Sequence, residues 1–82
     1  MQLVECVPNI SDGRHPEVYE AAAAAAAGVS GVSLLNVDPG SETNRTVITF
    51  VGGPPDVSEA AFRLIQRTAG LVDMRTHRGA HP

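Results

Sequence analysis

At 82 residues the chain has material for one small domain and excludes a second. Hydrophobic residues make up 43% and charged residues 18%, which is the mix of a globular chain and not of a solvated tail. The net charge of −3 sets nine acids against six basic residues, all arginine, with no run of positive charge to track phosphates; nucleic acid is not an expected partner.

The first element is read as a strand over residues 2–7, "QLVECV", which mixes apolar and polar positions and ends at Pro8. A turn, "NISDGRHPE", leads into a helix. Pro16 suits the first helical position, Glu17 and Glu20 oppose the positive end of the helix dipole, and the alanines from 21 to 27 propagate it to Gly28. A second strand is expected over 31–38 and a third over 44–52, joined by "PGSET" as a hairpin. Asp56 stands three residues before Glu59 in a capping-box arrangement, and Val57, Ala60, Ala61, Leu64 and Ile65 recur with helical spacing, so a second helix runs to about Asp73.

The expected class is therefore α+β, with a ferredoxin-like β-α-β-β-α order: an antiparallel sheet carrying two helices on one face. The closing strand of that topology is missing from the chain, which would leave the first strand as an open edge. A fragment of something longer, or a second chain that supplies the strand, would resolve this.

Cys6 is the lone cysteine, so no internal disulfide is possible; a packing role and a reducing cytoplasm are expected. No basic and apolar leader opens the sequence, and the alanine run is far too short to cross a bilayer, so no membrane partner is expected.

Following the strands up and down puts three polar stretches at one end of the sheet: Asn9 to Pro16, the hairpin tip from Asp38 to Arg45, and the tail from Met74 to Pro82. His77 and His81 would land beside Asn9, Asp12, His15, Asp38, Asn44 and Arg45. The two tail histidines are four apart, but Gly79 between them opposes a helix and no third ligand has motif spacing, so no metal site is expected. Imidazole titrates near neutrality and suits an acid/base, either in that role or as a surface residue. Asp38 could orient such a ring or simply form a turn before Pro39-Gly40. Arg45 could clamp a carboxylate or stand exposed at a strand entry, and Asn9 and Asn44 fit ordinary turns.

"LVECVPNISDGR", "LLNVDPGSETNRTVITFVGGP" and "LVDMRTHRGAHP" together resemble the N-terminal part of glutamate formiminotransferase, a domain also found in the bifunctional formiminotransferase-cyclodeaminase. The likeness covers nearly the whole chain and weakens in the alanine-rich helix and the middle of the second. It implies transfer of a formimino group between formiminoglutamate and tetrahydrofolate, the latter a co-substrate, in histidine breakdown. It implies an enzyme of two α/β subdomains with folate between them, of which residues 1–82 are a part of the first and inactive alone. It also implies His81, in a Gly-x-His-Pro motif, as the catalytic acid/base, with Asp38 as its orienter. Asn9, Asn44, Arg45 and His77 follow as substrate-binding candidates. The expected partners are the two substrates and the rest of the enzyme, or a second copy in a homodimer. Two other readings stay open: a non-catalytic binding or assembly module, and a related folate enzyme acting on 5-formyltetrahydrofolate.

Overall fold

A computed structural model describes residues 2–71. Six elements follow in chain order: β1 (Val4–Cys6), β2 (Asn9–Ile10), α1 (Pro16–Ala27), β3 (Val32–Gly40), β4 (Arg45–Gly52) and α2 (Pro54–Leu71). The arrangement is α+β with an open antiparallel sheet, compatible with the ferredoxin-like order.

β4 is the axis of the sheet. β3 pairs with one side of it, while β1 and β2 both pair with the other. Cys6 opposes Phe50 and Asn9 opposes Val47, three residues on in the first strand and three residues back in β4, so β1 and β2 share one unbroken register. The first strand thus runs past Pro8 rather than stopping there, and Asn9–Ile10 belong to the sheet rather than to the following turn. Proline lacks an N–H but keeps its carbonyl: Pro8 accepts the Ile48 N–H at 3.0 Å, pointing inward to β4. Among the described residues no strand covers the outer edge of β1 and β2.

Alternation along β4 divides the sheet into two faces. Thr46, Ile48, Phe50 and Gly52 are buried beneath the helices, while Arg45, Val47, Thr49 and Val51 lie half-buried on the open face. β3 follows β4 with one irregularity between Leu34 and Asn36, where Leu35 is an extra residue with no partner.

Both helices pack on the buried face. α1 contributes Ala22, Ala23 and Ala26, whose methyl side chains let its backbone come close to the sheet; α2 contributes Val57, Ala60 and Leu64. With Ile10, Val29, Ile48 and Phe50 these form one core. Phe50 is wholly buried and at the centre, and it supplies the largest single area in a core otherwise built from small aliphatics.

The helix ends differ from the capping patterns in the sequence. α2 begins at Pro54, two residues before Asp56, and the Gly53 carbonyl accepts the Val57 N–H at 2.9 Å. Asp56 instead lies in the first turn with its carboxylate against Gly31, whose φ of 90° only glycine adopts readily and whose missing Cβ leaves room for that oxygen. Gly28 does end α1, in a right-handed conformation.

Candidate functional site

The stretch between β2 and α1 is fastened to the β3–β4 hairpin tip. Asp12 is only 5% exposed. Its Oδ2 accepts the His15 N–H at 3.1 Å, an Asx-type turn that guides the chain into α1, and its Oδ1 faces His15 Nδ1 at 2.7 Å. Its own carbonyl accepts the Thr46 hydroxyl at 2.5 Å. Gly13 donates its N–H to Asn44 Oδ1 at 2.9 Å. A Cβ on Gly13 would collide with the carbonyl oxygens of Gly40 and Arg45, so glycine is what allows the two backbones to meet. Arg14 adds a bond from Nε to the Ser41 carbonyl at 2.7 Å.

Asn44 takes a left-handed conformation with φ 53°, which closes the four-residue turn from 41 to 44. Asparagine tolerates this region better than most side chains. At 3% exposure it is built into the strap.

The other sheet-borne candidates share the open face. Asn9 and Asp38 both oppose Val47, one from each side, so the three form a row across the sheet. Two strand spacings separate Asn9 from Asp38, about 10 Å. Arg45 lies two residues from Val47 on the same face, diagonal to Asp38. Asn9, Asp38 and Arg45 are thus brought together at the end of the sheet where the loop before α1 is fastened to the hairpin tip, whereas Asn44 is turned away into the turn itself. His77 and His81 lie outside the described residues.

Sequence reasoning treated Asp12 and His15 as turn and helix-entry residues and passed over Thr46. An Asp three residues before the residue that precedes Pro16 is a local signal for a side-chain bond to the backbone N–H at the helix entry. The reach from Asp12 to Thr46, thirty-four positions, has none. The Asp12 carboxylate raises the pKa of His15 above 6.5, first by the hydrogen bond and then by its charge; Glu17 adds to this and Arg14 opposes it.

A groove of about 650 Å³ runs beside the open edge, between Pro8–Ser11 of the strand and Leu64, Ile65 and Thr68 of α2. Among the described residues no helix is long and apolar enough to cross a membrane.

Residues 3–82 match the formiminotransferase domain, N-terminal subdomain, and the chain belongs to that family. Formimidoyltransferase-cyclodeaminase of Sus scrofa is 52% identical over 81 residues, which are 99% of this chain and 15% of that protein. Glutamate formimidoyltransferase of Thermoplasma acidophilum is 44% identical over 82 residues and that of Streptococcus pyogenes serotype M1 is 38% identical over 81, in each case 27% of the relative's length. The chain therefore spans between about a seventh and about a quarter of the proteins it matches.

Proposed function

We propose that the chain is the N-terminal part of a folate-dependent transferase that moves a formimino group between N-formimino-L-glutamate and tetrahydrofolate in histidine degradation. The observation that carries this reading is the family match over residues 3–82, which takes in Asn9, Asp38, Arg45 and His81 together. The row of Asn9 and Asp38 on the open face, with Arg45 diagonal to it, supports it from the geometry.

In this reaction the amine nitrogen of tetrahydrofolate attacks the formimino carbon, and the bond from that carbon to the glutamate nitrogen breaks. His81 takes the proton the attacking nitrogen loses and returns it to the departing glutamate nitrogen, so no net proton is gained or lost. Asp38 accepts from the second ring nitrogen and fixes the tautomer. Arg45 and His77 hold substrate carboxylates, Asn9 supplies a neutral hydrogen-bonding contact, and Asn44 acts by shaping the turn that carries Arg45. The remaining part of the enzyme, or a second copy in a homodimer, covers the β1–β2 edge and the groove beside α2. The setting is the cytoplasm.

The test is formimino transfer by the longest natural form of this chain beside its His81→Ala variant. A fall of about 100-fold or more is expected, the scale for losing a general acid/base. Transfer unchanged by the substitution removes His81 from the mechanism, and no transfer in the parent removes the reaction.

A further inference from the structure

Strict alternation along β3 would put Ser33 and Asp38, five residues apart, on opposite faces of the sheet. Both lie on the open face, since Ser33 opposes Val51 and Asp38 opposes Val47. The extra residue at Leu35 makes the difference: it advances β3 by one position, as bulges beside functional sites do when they re-aim a side chain. The same step lets Val32 and Val37, also five apart, both pack against the core. It brings Asn36 to the open face opposite Thr49, one row inward from Asn9 and Asp38.

Asn36 is exposed at the middle of a nine-residue strand. Asparagine is among the poorest residues for that position, and local rules broken beside a site mark function more often than accident. Its surroundings have a definite chemistry. The Thr49 hydroxyl lies across from it, and by continuation of the register Val7 completes the row; half-buried Val47 and Val51 flank it as an apolar floor. Among the described residues no charged side chain lies in that row, whereas the row of Arg45 is two rows away, about 14 Å along the strands.

We propose that Asn36 is a substrate-contacting residue that receives the planar, neutral, hydrogen-bonding ring of tetrahydrofolate, leaving the Arg45 end to carboxylates. This rests on the functional reading above. A primary amide offers one donor side and one acceptor side, which matches the adjacent donor and acceptor of an amide-like ring edge lying on a flat valine floor. Among the described residues a small amino acid with two carboxylates finds no cation in this row.

The experiment compares the longest natural form of the chain with Asn36→Ala and Asn36→Thr, reading tetrahydrofolate binding at equilibrium and the KM of each substrate. In both variants the Kd and KM for tetrahydrofolate rise about tenfold, the scale of one hydrogen bond, while the KM for formiminoglutamate and kcat stay within about threefold. Threonine favours a strand, so a merely structural Asn36 would tolerate that change. Transfer in the parent with unaltered tetrahydrofolate affinity in the variants overturns the assignment of Asn36 and leaves the functional reading standing. An equal rise for both substrates also overturns it. A parent that neither binds tetrahydrofolate nor transfers the group overturns both.

Discussion

The side-chain oxygen of Asn44 accepts the backbone N–H of Gly13 at 2.9 Å, joining a left-handed turn residue to a loop thirty-one positions earlier. Asn44→Ala removes the acceptor from a buried N–H and forces a Cβ that lacks asparagine's tolerance into the left-handed region. The expected loss is about 2–4 kcal/mol by urea unfolding. Asn44→Gly suits the backbone and loses the side-chain bonding alone, so roughly half that cost is expected. Equal losses in the two variants would mean that the backbone conformation contributes nothing.

Deleting Leu35 removes the bulge and leaves Leu34 opposite Phe50 directly followed by Asn36 opposite Thr49, so both halves of β3 keep their faces in unbroken alternation. Val32 and Val37, then four apart, both stay against the core, and a change of no more than about 1 kcal/mol is expected by urea unfolding. Substituting Leu35 by Ala keeps the extra residue and trims an exposed side chain, so it is expected to be near neutral. A deletion that costs more than about 2 kcal/mol would show that the extra residue is itself needed to shape the strand.

His15 makes stability depend on pH. Its folded pKa lies above 6.5 because the Asp12 carboxylate holds the protonated ring. Folding therefore favours protonation: the contribution is fully present below 6.5 and is lost as pH rises through the folded value. Unfolding measured in urea from about pH 5.5 to 8.5 is expected to show the parent's advantage over His15→Asn shrinking as pH rises through that window. A difference that is flat or grows with pH contradicts the pairing.

Much of the fold could be read in the sequence because its signals are local. Pro16, the alanines and Gly28 bound α1 correctly, and the turn residues after Asp38 do mark a hairpin. Where the reading failed, a local signal carried two meanings. Pro8 ends many strands and so points to a turn over Asn9 and Ile10, yet here its carbonyl still serves the ladder and β2 continues the strand. Asp56 and Glu59 have capping-box spacing, yet Pro54 and Pro55 already have the backbone angles of a helix start and the Gly53 carbonyl closes the first turn. The bulge left only one trace, the five-residue interval between Val32 and Val37. Of the site, topology alone placed Asn9, Asp38 and Arg45 at one end of the sheet, and the register adds that they share its open face. The strap from Asp12 and Gly13 to Asn44 and Thr46 joins residues more than thirty positions apart and is written in no short window.

Pro8 has its nitrogen and its carbonyl on the side facing β4. The groups turned outward on that strand are accordingly those of Glu5, Val7 and Asn9, and each of these residues keeps its N–H. A proline shields a sheet margin against unwanted partners only where the missing donor lies on the outer side. This one is spent inward and blunts nothing. The margin keeps a full alternating set of donors and acceptors, in register past the proline from Glu5 to Asn9, and so works as a socket shaped for one more strand.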